Sequence, residues 1–74
     1  MNKDQLKNLI KKSLNIKKID NKTSSKNTAA WDSLGHLSIL SALDKTTKGK
    51  TSKLNLSKAD SFTELFKILK KNKI

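Results

Sequence analysis

Trp31-Asp32-Ser33-Leu34-Gly35-His36-Leu37-Ser38-Ile39-Leu40-Ser41-Ala42-Leu43-Asp44 carries aliphatic side chains at positions 34, 37, 39, 40 and 43. That spacing returns to one side of a 3.6-residue helix, and no stretch of the chain keeps the two-residue alternation of a strand. Asp32 and Ser33 are both good acceptors for first-turn amides, so the helix starts at one or the other. Upstream, residues 20–30 (Asp-Asn-Lys-Thr-Ser-Ser-Lys-Asn-Thr-Ala-Ala) are turn-forming and make a long irregular connection. Loops of that length in a small domain often have work to do. Downstream, residues 45–53 break the pattern and form a second loop.

The flanks read the same way. Leu6, Leu9, Ile10 and Leu14 stripe one face of a helix over 3–14, with Asn2 as N-cap and Gln5 three residues on. Ile16 and Ile19 continue the apolar content into a loop lying over the core. Leu54 and Leu56 plug the core edge, and Ser57 to Asp60 make one short helical turn. Ser61-Phe62-Thr63-Glu64 is a capping box opening a last helix, with Phe62, Leu65, Phe66 and Leu69 on its inner face. The expected fold is all-α: a single domain over residues 1–74, with three main helices plus one short helix.

Composition removes whole classes of chemistry. With no Cys there is no disulfide, no thiolate metal site and no thiol nucleophile of the chain's own. One His is too few for a histidine metal centre. No apolar run spans a membrane and no signal peptide is visible, so the expectation is a cytoplasmic protein without stable membrane insertion. The 74 residues hold 17 basic and 6 acidic side chains, a net charge of +11. Self-repulsion predicts marginal stability and a melting temperature that rises with salt; a melt insensitive to salt would contradict it.

A basic helical module that binds nucleic acid or an anionic membrane is the competing reading from another class. Every basic residue is Lys, and Arg, the phosphate fork and base reader, is missing. Val and Pro are absent while Asn and Ile are common, a bias that A/T-rich codons produce equally well. The net charge is +6 over residues 1–26, −2 over 27–44 and +7 over 45–74. The middle helix is where a nucleic-acid binder is expected to put its lysines. It has none between Asn27 and Asp44, so the expectation is no nucleic-acid partner and a specific site at Ser33.

Ser33 and His36 are one helical turn apart, close enough to suggest a nucleophile pair. An orienting acid and an oxyanion hole are also needed, and spacing supplies neither. The chain is therefore read as no enzyme, and His36 as an exposed helix residue.

Asp32-Ser33-Leu34 at the head of a central helix, after a long loop and with a helix on either side, resembles the acyl carrier protein family. The stretch from Trp31 to Leu37 is similar to that family's prosthetic-group attachment motif, and the likeness runs the length of the chain. The resemblance implies that a phosphopantetheinyl transferase, with Mg²⁺ in its own site, moves 4′-phosphopantetheine from coenzyme A onto the Ser33 hydroxyl. Acyl groups would then ride as thioesters on the arm's thiol, loaded by a ligase or synthase and removed by acyl-transfer enzymes. It also implies that Asp32 helps the transferase recognise the site and that Leu34 and Leu37 flank the arm; helical spacing gives Leu34 a share in the core. Trp31 packs the loop down rather than contacting cargo.

Typical members are acidic along the helix after the serine; here the positions two and five after Ser33 are Gly35 and Ser38. That departure implies docking through Gly35, Leu37, Ser38 and Ser41, or partners with acidic surfaces. It favours a stand-alone carrier in a specialised pathway, such as surface-glycan modification or a secondary metabolite, over fatty acid biosynthesis; the carrier is expected to be a monomer. An aminoacyl or peptidyl carrier shares the chemistry and differs only in cargo.

Overall fold

The computed structural model describes residues 1–74 and contains three helices: α1 (Lys3–Leu14), α2 (Ser33–Thr46) and α3 (Phe62–Lys71). The fold is all-α; the sole strand-like pairing is an isolated antiparallel bridge between Ser24 and Ser61. No helix is long and apolar enough to cross a membrane.

Each helix begins where its side chains can satisfy free amides. The Asn2 side chain accepts from the Gln5 amide at 2.8 Å, and the Gln5 side chain accepts from the Asn2 amide at 2.9 Å, a complete capping box. Asn15 ends α1 in the left-handed region at φ 55°, a conformation asparagine tolerates better than most residues. Ser61 caps α3 by accepting from the Glu64 amide at 3.2 Å. The return bond from the Ser61 amide to Glu64 does not form, so this box is one-sided. α2 runs two residues past Asp44 and ends where Lys48 and Gly49 take φ of 56° and 86°, the latter suited to glycine.

α1 packs against both α2 and α3. Leu14 meets the backbone at Gly35, so the end of α1 lies beside the start of α2. The Nζ atoms of Lys7 and Lys3 stand 5.4 and 5.7 Å over the rings of Phe62 and Phe66, so α3 also runs antiparallel to α1. One end of the bundle therefore gathers the start of α2, the start of α3 and the close of α1. The buried core is Leu6, Ile10 and Leu14 of α1, Ile39 and Leu43 of α2, Phe62, Leu65 and Leu69 of α3, and Trp31, Leu56 and Ala59 from the loops.

Three expectations need correcting. Ser57 to Asp60 form no helix; a single turn closes there, the Ala59 amide donating to the Leu56 carbonyl at 3.1 Å. Leu34 takes no share in the core: it is 75% exposed, and Leu37 is 61% exposed. Gly35, Ile39 and Leu43 recur on the face that α1 covers, which turns Leu34 and Leu37 outward. His36 is half-buried rather than exposed, for reasons that belong to the site.

The 20–30 connection is irregular but pinned. The Ser25 amide donates to the Asp60 carbonyl at 2.9 Å, and the Phe62 amide donates to the Thr23 carbonyl at 2.9 Å. Ser25 Oγ donates to Asp60 Oδ2 at 2.6 Å. That hydroxyl first, helped by the backbone amide of Asp60 and the Lys26 charge, holds the Asp60 carboxyl below its ordinary value against the opposing effect of desolvation. A carboxylate depressed in the folded state stabilises it above the unfolded pKa, and the gain is lost as pH falls through the folded value, below about pH 4. Ser25→Ala is expected to move the Asp60 pKa back up in an NMR titration and to narrow the acid-dependent part of stability. An unmoved Asp60 titration would show that the hydroxyl is not the cause.

Candidate functional site

The head of α2 is built by Asp32. Its Oδ1 accepts from the Gly35 amide at 2.8 Å, and its carbonyl accepts from the His36 amide at 2.8 Å. Those two bonds use the third and fourth amides of the first turn. The amides of Ser33 and Leu34 have no partner, and the Ser33 side chain is exposed and makes no hydrogen bond. A helix start with open amides and the positive end of the backbone dipole favours an anion. The Asp32 carboxylate opposes it, although part of its charge is engaged by Gly35.

Beside Ser33 lies an open groove of about 530 Å³, whose walls include Trp31, His36, Leu37, Leu40 and Asp60. Trp31 is buried and holds the loop down, as expected from sequence. Its Nε1 donates to His36 Nδ1 at 3.0 Å, and His36 Nε2 lies 2.9 Å from the Leu56 carbonyl. Because Nδ1 accepts, Nε2 carries the proton and donates to Leu56. Both ring nitrogens are thus engaged, leaving neither free to take a proton from Ser33. His36 ties the start of α2 to a loop twenty residues on.

The predicted recognition residues divide into two groups. Leu34, Leu37, Ser38 and Ser41 share one open face of α2, lining a shallow depression with Ala42 and Lys45. Gly35 is turned the other way. A Cβ there would collide with the Ala30 carbonyl oxygen and come within 2.8 Å of Leu14 Cδ2, so the glycine lets loop and helix backbones close on each other. The walls supplied by His36, Leu40, Ser25 and Asp60 were missed at the sequence level. The one local signal was Asp60 standing immediately before the N-cap Ser61, where the loop must turn inward.

Comparison with protein-family models, curated proteins and solved structures finds no match for this chain.

Proposed function

We propose that this chain is a stand-alone acyl carrier, modified with 4′-phosphopantetheine on Ser33 by a separate transferase that uses coenzyme A. The observation carrying the reading is an exposed Ser33 hydroxyl, free of hydrogen bonds, on the first residue of α2 next to two open amides and a half-apolar groove. In the modification the Ser33 oxygen bonds to phosphorus, a pyrophosphate P–O bond of coenzyme A breaks, and the nucleotide part leaves. The hydroxyl proton goes to a base of the transferase, since His36 has no free nitrogen. When bound, the group supplies a thiol on a flexible arm, which this cysteine-free chain otherwise lacks.

The chain's own residues hold and present. Asp32 fixes the helix start, the Ser33 and Leu34 amides would be free to bond a phosphodiester attached at Ser33, and Leu37 and Leu40 would offer the arm an apolar wall. The reading makes the chain a non-catalytic cytoplasmic monomer that meets its transferase, an acyl-loading ligase or synthase, and acyl-transfer enzymes. The open face of α2 presents leucines and small polar residues with Lys45 in place of carboxylates, which supports dedicated partners in a specialised pathway.

Incubation with coenzyme A and a broad-specificity phosphopantetheinyl transferase, followed by intact mass, tests the reading. It predicts a gain of one phosphopantetheine. An unchanged mass, with tight salt-sensitive DNA binding by the same sample, would replace it with the nucleic-acid reading. Leu34→Ala and Leu37→Ala remove exposed side chains, so each is expected to shift stability by less than about 0.5 kcal/mol. Each should nevertheless slow arm transfer on the order of 10-fold, the effect of an interface anchor worth about 1.4 kcal/mol. Unchanged transfer rates in both would remove this face from partner docking.

A further inference from the structure

Beyond the far ends of α2 and α3, and along α1 as far as Ser13, the chain encloses an open hollow of about 870 Å³, walled by Lys48, Lys50 and Lys73 at the end away from Ser33 and by Lys12 further along α1. An adjoining hollow of about 550 Å³ shares Lys48, Lys50 and Lys73 and adds Lys53. Together they form one basin with five lysines and no Asp or Glu in its walls. Elsewhere the walls differ: the hollow beside Lys17 and Lys18 contains Asp20, the groove beside Ser33 has Asp32 and Asp60 and no lysine, and the depression on α2 has Lys45 alone. The basin gathers more lysines than any of these, and the Ile74 end of the chain, whose oxygen accepts from the Met1 ammonium at 2.8 Å, lies in its wall. The basin also has apolar lining from Leu9, Ala42 and Leu54.

We propose that this basin docks the protein on an anionic phospholipid surface. Lysines are compact charges on flexible stems that follow mobile headgroups, and the basin holds no arginine fork for reading base edges. Nor is any aromatic ring in its walls to stack a base, which sets a bilayer ahead of nucleic acid. The apolar lining meets the boundary between headgroups and acyl chains, and with no spanning helix the contact is peripheral. α2 runs from Ser33 to Thr46, about 20 Å at 1.5 Å per residue, so a protein seated by its basin holds Ser33 away from the surface. The inference stands whether or not Ser33 is modified.

Flotation with vesicles of pure phosphatidylcholine, and of an equal mixture with phosphatidylglycerol, tests it on the full chain. The expected result is salt-sensitive binding to the mixture alone. Lys12→Gln/Lys50→Gln/Lys53→Gln and Lys17→Gln/Lys18→Gln/Lys22→Gln remove equal charge, and circular dichroism verifies that each still folds. At about fivefold per surface lysine, the first triple variant should lose on the order of 100-fold in vesicle affinity. The second should lose less than about fivefold, the worth of a single surface lysine. Equal losses would reduce the effect to net charge and overturn the proposal, as would equal binding to neutral vesicles. Tighter binding to duplex DNA than to the anionic vesicles would overturn it too.

Discussion

Ser33→Ala is expected to accept no phosphopantetheine under conditions that, on the proposed function, modify the parent chain to completion, and to fold as well as the parent. Both halves follow from the same geometry. The Ser33 hydroxyl makes no hydrogen bond, and the helix start depends on the Asp32 carboxylate accepting from Gly35. Alanine is a good helix former, so the substitution is expected to leave stability within about 0.5 kcal/mol. No other serine inherits the role. Ser38 and Ser41 lie inside α2, where backbone amides are spent within the helix. Ser61 also precedes a helix, but its hydroxyl accepts from Glu64 and its backbone is tied to Ser24. Ser38→Ala is therefore expected to be modified normally. Intact mass and a thermal melt on the two variants check the pair; modification of Ser33→Ala at another serine would relocate the site.

Gly35→Ala is the second large effect, and two principles give it opposite signs. In an exposed helix interior, alanine in place of glycine gains about 1 kcal/mol from lower chain entropy. Here the new methyl group meets the Ala30 carbonyl oxygen and Leu14 Cδ2. Leu14 can rotate, but the Ala30 oxygen belongs to the backbone of a loop closed down by the buried Trp31. Overpacking of this kind costs about 1–3 kcal/mol and more where backbone must shift. The clash wins, and a net loss of about 2 kcal/mol is expected in chemical denaturation. A domain of this length has only about 4–11 kcal/mol in total, so the variant should be visibly less stable. A stabilised Gly35→Ala would mean that the loop does not sit against α2 as described.

What was legible in the sequence was local. α1 was readable at both ends because Asn2, Gln5 and the Leu6–Leu14 stripe all act within a few residues of one another. The Ser61 cap was readable for the same reason, and the start of α2 to within one residue, Asp32 or Ser33. α2 was harder, since its apolar residues cover more of the circumference than one neighbouring helix can bury. Periodicity could not say that Ile39 and Leu43 would face α1 while Leu34 and Leu37 faced outward. Gly35, read as a docking position, is also a packing glycine, and only the approach of the Ala30 carbonyl reveals that. His36 was misread because its partners are set by tertiary structure: an indole pressed down by the loop and a carbonyl twenty residues away. Ser57 to Asp60 read as one short helical turn, but that segment spends its groups on pinning the 20–30 loop through Asp60.

The central claim is that one hydroxyl, at the head of α2, bears the arm. Peptide-level mass spectrometry of the protein isolated from its own cells addresses it most directly. The account predicts that the fragment containing Ser33 bears phosphopantetheine through a phosphodiester and that every other serine is bare. A bare Ser33 in that sample, together with no mass gain from transferases of differing specificity, would contradict it.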